Sequence, residues 1–121
     1  MKARNSIKKN AGFVNKFLKK ELKGNPKQLY DAASHLILHG GKRLRPFLVL
    51  KSCQMLGGKQ SDAMAAASAV EMIHNFTLVH DDIMDNDEMR HGVPTTHKKF
   101  DMPLAILAGD VLYSKAYHTI S

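Results

Sequence analysis

Apolar positions recur at helical spacing along nearly the whole chain, and alternating β-branched runs are scarce. Ile7, Val14, Phe17, Leu18 and Leu22 predict a first amphipathic helix with a lysine-rich outer face, which Gly24-Asn25-Pro26 stops. Leu29, Ala32, Ala33, Leu36 and Ile37 mark a second helix, ended by Gly40-Gly41. The third, over about 44–56, is apolar nearly all round through Phe47, Leu48, Val49, Leu50, Cys53 and Leu56, which predicts burial. Gly57-Gly58 ends it. Ser61 or Asp62 is placed to cap a fourth helix that runs to about residue 86. Its opening AMAAASAV lets a neighbouring helix approach closely. After a loop at 91–96, Asp101 and Pro103 start a fifth helix carrying Ala105, Ile106, Val111, Leu112 and Ala116. The class this predicts is all-α: an antiparallel helical bundle, or part of one, as a single domain over 1–121. The last helix reaches Ser121 without a capping residue, glycine or proline, so a chain that was cut rather than completed is expected.

Composition narrows the chemistry. At 44% hydrophobic and 24% charged residues with no low-complexity run, the chain is globular. Its net charge of +7 suits anionic partners. Much of that charge lies in residues 2–27, where a solvated face is the ordinary explanation; Lys42, Arg43 and Arg45 beside two glycines are less easily dismissed. Cys53 is the only cysteine, which rules out an intrachain disulfide and a cysteine-based zinc site, and a reduced core thiol in a cytoplasmic protein is expected. No apolar stretch approaches the ~18–20 residues that a membrane span needs.

The polar stripe of the fourth helix is where chemistry concentrates. At about 100° per residue, Glu71, His74, Asn75, Asp81, Asp82 and Asp85 fall within about 120° of one face. Asp81 and Asp85 stand one above the other, and like charges so placed repel. A solvated acidic helix end is the bland account. Mg²⁺ is the counter-charge expected instead, since it takes one or two carboxylates and completes its shell with substrate phosphate and water.

A second constellation is GGKRLRP at 40–46. Its glycines permit close backbone approach, and a helix begins directly after them. Lys42 and Arg45, three apart, are expected on one helix face as a cradle for diphosphate, with Arg43 pointing elsewhere as a surface residue. Glu71 and His74 have the Glu-x-x-His spacing of di-iron bundles, but a second such motif is missing. Phe76 and Thr77, about one turn below Asp81, are placed to floor a pocket beneath a metal site.

With these residues in view, the chain resembles the N-terminal part of a trans-isoprenyl diphosphate synthase. The carriers are GGKRLRP, EMIHNFTLVHDDIMDNDEMRHGVPTTH at 71–97 and LAGDVLY at 107–113, in matching order and interval. The resemblance implies head-to-tail condensation of isopentenyl diphosphate with an allylic diphosphate. Asp81 and Asp85 would bind Mg²⁺ against the allylic diphosphate with Asp82 beside them, and Arg90 would contact the same group. Lys42, Arg45 and His74 would hold isopentenyl diphosphate. Phe76, fifth before an uninterrupted DDIMD, resembles the pattern of archaeal-type geranylgeranyl diphosphate synthases, and Phe76 with Thr77 would then bound the chain-length pocket. A cytoplasmic homodimer through the last helix, or association with a chain carrying the C-terminal half, is implied as well.

Two departures stand out. His91 occupies the place of the second arginine in the family's usual Arg-Arg, leaving a shorter, titrating donor for isopentenyl diphosphate. A second aspartate-rich motif and a downstream phosphate-binding lysine are also missing, so these residues alone are expected to be inactive. Two other classes compete. A non-catalytic module binding nucleic acid through Lys8, Lys9, Lys16, Lys19 and Lys20 would show steep salt dependence but leaves the aspartates idle. A regulatory synthase-like subunit would have no need of metal ligands.

Overall fold

The computed structural model describes residues 2–121. The helices are α1 (Lys2–Glu21), α2 (Lys27–Ile37), α3 (Leu44–Met55), α4 (Gln60–Asp85), α5 (Thr96–Lys99) and α6 (Met102–Ile120). Between α4 and α5 a small antiparallel hairpin pairs β1 (Met89–Arg90) with β2 (Val93–Pro94). The all-α bundle expected from the periodicity is therefore present, with this hairpin and the four-residue α5 as unforeseen additions. His91 and Gly92 form the hairpin turn at φ 53° and 77°. Two successive left-handed residues make the tight turn that suits strand twist, and histidine tolerates that region better than most side chains.

The 26-residue α4 is the axis of the bundle, packed mainly on α6 and α3. The AMAAASAV stretch behaves as its composition implies, because Ala63, Ala67 and Ala69 are buried without holding neighbours at a distance. From α6, Ala105, Ala108, Gly109 and Ala116 meet it, and a Cβ at Gly109 would stand only 2.4 Å from the His80 ring. Larger side chains fill the remainder: Val14 and Leu18 from α1, Leu36 and Ile37 from α2, Leu50, Met72 and Leu112. Fully burying each such side chain contributes roughly 1.5–3 kcal/mol against leaving it in water.

Local signals held unevenly. Pro26 stands directly before α2, as its fixed φ favours. The second helix ends at Ile37, however, three residues before the glycines expected to stop it. The fourth begins at Gln60, so neither Ser61 nor Asp62 is its cap; Asp62 sits inside the first turn and accepts the Lys59 backbone amide at 3.0 Å. Asn86, left-handed at φ 54°, closes the other end close to the expected place. The third helix is not buried all round: only Pro46 and Leu50 are, while Leu48 is 62% and Leu56 90% exposed. One side of α3 meets α4 and α1, and nothing among the described residues covers the other. No helix among them is long and apolar enough to cross a membrane.

Asp101 caps α6 as expected, accepting the Leu104 amide at 2.8 Å ahead of Pro103. Asp101→Ala should lower stability by about 1 kcal/mol in chemical denaturation, while Asp101→Ser should recover most of the loss.

Candidate active site

Two places gather the residues singled out in the sequence. The first is the C-terminal end of α4. Asp81 and Asp85 are exposed on successive turns, at the negative end of the helix dipole, and that last turn contains no basic residue. Asp82 departs from expectation. Rather than flanking the open carboxylates, it is 1% exposed and holds Arg90 through both oxygens, at 2.8, 2.9 and 3.0 Å. Asp82 lies about 100° round the helix from Asp81, which is enough to turn it into the bundle. The Asp82 hydrogen bonds raise the Arg90 pKa above the ordinary arginine value, against partial burial. Asp82 consumes the Nε and Nη2 donors, and Nη1 stays outside that pair.

With the neighbouring arginine committed in this way, Asp81 and Asp85 form a carboxylate pair with unbalanced charge. Among the described residues no three His, Cys, Asp or Glu side chains converge as a complete metal cage. Two hard oxygen donors with room for external ligands fit Mg²⁺ rather than zinc or iron.

The second place is a cleft of about 190 Å³ between the 40–45 segment and the middle of α4, into which Lys42, Arg45, His74 and His91 all face. The four side chains expected around isopentenyl diphosphate are thus brought together. They do not share one helix face: Lys42 lies in the loop and Arg45 in the first turn of α3. Arg45 Nη1 stands 3.3 Å from His74 Nε2, and burial first, then the Arg45 charge, push the His74 pKa below its ordinary value. That shift favours the neutral imidazole, which can accept from the guanidinium. His91 reaches the cleft by packing against Gly40, where an added Cβ would come within 2.7 Å of its ring.

Arg43 was expected at the surface and is instead buried. It adopts φ 58° before α3 and donates to Asn15 Oδ1 (2.7 Å), the Gly40 carbonyl (2.8 Å), Glu71 Oε1 (3.2 Å) and the Ile37 carbonyl. Two of these acceptors lie at and just beyond the C-terminus of α2, where carbonyls lack helical partners, so the side chain satisfies groups that the end of the helix leaves open. Glu71 also accepts from Asn75 at 3.2 Å, which removes it from the open stripe and from any di-iron site. A carboxylate flanked by Val70, Met72 and Ile73 was the available signal that a buried cation must exist.

Phe76 is turned away from the carboxylates, whereas Thr77, four residues before Asp81, shares its face one turn down the helix. Five residues turn Phe76 about 140° away from Asp81, and its ring packs on His80 (4.7 Å between centroids) and Tyr113 (5.2 Å). Thr77 is exposed and donates to the His74 carbonyl of its own helix.

Comparison with known proteins bears on the family and the fold. The polyprenyl synthetase family model matches residues 26–121. A geranylgeranyl pyrophosphate synthase of Geoglobus acetivorans is 53% identical over 116 residues, covering 95% of this chain and 36% of that protein. A geranylgeranyl diphosphate synthase of Saccharolobus solfataricus is 52% identical over 108 residues, covering 89% and 32%. The crystal structure of a geranylgeranyl pyrophosphate synthetase from Pyrococcus horikoshii superposes with a TM-score of 0.92 at 46% identity, covering 97% of this chain and 36% of that one. The chain thus spans about a third of the length of the curated relatives it matches.

Proposed function

We propose, for a chain that belongs to the polyprenyl synthetase family, that residues 1–121 form the N-terminal part of one synthase domain and supply one side of a prenyltransferase active site. The reaction is Mg²⁺-dependent condensation of isopentenyl diphosphate with an allylic diphosphate, and geranylgeranyl diphosphate is the product. The observation that carries this reading is the pairing of an anion-binding cleft with an uncompensated carboxylate pair on the same helix.

Each residue then has a task. Lys42, Arg45 and His91 bind the diphosphate of isopentenyl diphosphate, with His74 setting the Arg45 guanidinium and donating in its turn. Asp81 and Asp85 would hold Mg²⁺, which would supply positive charge for a diphosphate leaving group. Asp82 fixes Arg90 so that its remaining donors are aimed before substrate arrives, which removes a reorganisation cost at the moment of charge separation. Phe76 limits product length from the α4–α6 side, and Thr77 bounds the same pocket from one turn beneath Asp81.

A homodimer through α6, or a partner chain carrying the remaining helices, accompanies this function; Ile106, Leu107, Tyr113 and Tyr117 are exposed on α6. A cytoplasmic setting fits the free thiol of Cys53.

The test is a chimera in which this chain replaces the matching N-terminal segment of the Geoglobus acetivorans enzyme. Assayed with both diphosphates and Mg²⁺, it should elongate the allylic substrate to geranylgeranyl diphosphate, while the 121-residue chain alone should give no turnover. A folded chimera without elongation, or turnover by the chain alone, would contradict this account.

A further inference from the structure

Lys42, Arg43 and Arg45 sit within four residues of one another, yet the fold treats them oppositely. Lys42 and Arg45 are exposed at the cleft, whereas the Arg43 guanidinium is 3% exposed and faces inward. Its donors reach the last residue of α2 (Ile37), the following loop (Gly40), α1 (Asn15) and α4 (Glu71). The start of the cleft loop, α1, the end of α2 and α4 are thereby tied to one planar group, and Glu71 lies one helical turn from His74. The loop is also moulded to that group. A Cβ at Gly41, which is left-handed at φ 97°, would stand 2.8 Å from Arg43 Nη1.

We propose that Arg43 is a positioning residue for anion binding: it touches no substrate and holds Lys42 and Arg45 at the spacing that a diphosphate requires. The inference rests on the assignment of the cleft to a diphosphate group. Burial lowers the Arg43 pKa, and the charge and hydrogen bond of Glu71 oppose that shift.

Calorimetric titration of the 121-residue chain with inorganic pyrophosphate tests this. The wild-type chain should bind saturably, and Lys42→Ala should bind more weakly. Arg43→Gln, with its helical circular dichroism retained, should lose about tenfold in affinity, the scale on which supporting-shell residues act. Arg43→Lys should fall in between. Because Arg43 works through its neighbours, its effect should shrink in the Lys42→Ala background, a coupling that general loss of stability would not produce. Full affinity in folded Arg43→Gln, or an undiminished effect in the Lys42→Ala background, would overturn the positioning role while leaving the anion site intact. Absence of saturable binding by the wild-type chain would overturn the anion site, and the positioning role with it. Should Arg43→Gln lose its helical signal, Asn15→Ala decides the matter: it removes one acceptor and keeps the charge. Weakened pyrophosphate binding then supports the proposal, and unchanged binding refutes it.

Discussion

Replacing Asp81 or Asp85 with alanine in the chimeric synthase should lower turnover at least a hundredfold, the loss typical when a preorganised charge-stabilising group is removed. Stability should move the other way. Both carboxylates are exposed at the negative end of α4, repel each other and lack a basic residue in their own turn. Removing one relieves that repulsion, so the melting temperature of the 121-residue chain should stay level or rise slightly. A solvated helix end of no functional consequence would show the same thermal behaviour but no loss of turnover. Asp82→Ala separates the roles further. It frees Arg90 and leaves a buried gap, so turnover and melting temperature should fall together. Turnover by Asp81→Ala within threefold of the unaltered chimera would remove the basis for the metal assignment.

The second large effect concerns the buried pair that supports the cleft. Glu71→Leu leaves the Arg43 guanidinium in the interior without its counter-charge, 3.2 Å from where the carboxylate stood. Both side chains are at most 4% exposed, so solvent does not screen the loss. Stranding one member of such a pair costs about 3–5 kcal/mol, and a chain of this size should melt on the order of 10–20 °C lower. Glu71→Gln keeps an acceptor and should lose less. The exposed Lys27–Asp31 pair, although shorter at 2.8 Å, is a useful control: breaking it with Asp31→Asn should not measurably change the melting temperature. Burial, more than distance, decides which ion pair matters. Equal shifts for Glu71→Leu and Asp31→Asn would refute that argument.

What could be read in advance follows from which quantities a local pattern encodes. Helical periodicity encodes which side of a segment avoids water, so the long helices were legible through residues such as Val14, Leu36, Ile37 and Leu112. It does not encode how much of an apolar surface finds a partner. Leu48 and Leu56 therefore reached the surface of a helix expected to be interior. The residue types of the site were legible too, since Lys42, Arg45, His74 and His91 line one cleft. Angular resolution was the limit along the acidic stripe. A window of about 120° contains both the outward Asp81 and the inward Asp82, and only tertiary packing separates them. Arg43 was misplaced for a related reason. Apart from the Gly40 carbonyl, its acceptors come from α1, the end of α2 and α4, and nothing within a few residues of it announces them. The hairpin escaped notice because each strand is two residues long, too short for an alternating pattern.

The central claim is that the end of α4 and the 42–45 cleft act as two halves of a metal-diphosphate site. Amide and imidazole resonances of the 121-residue chain, followed by NMR during titration with inorganic pyrophosphate with and without Mg²⁺, test it most directly. The account predicts shifts at Lys42, Arg45, His74 and His91 with pyrophosphate alone, joined by Asp81 and Asp85 only when Mg²⁺ is present. Shifts confined to the exposed lysines of α1, indifferent to Mg²⁺, would contradict it.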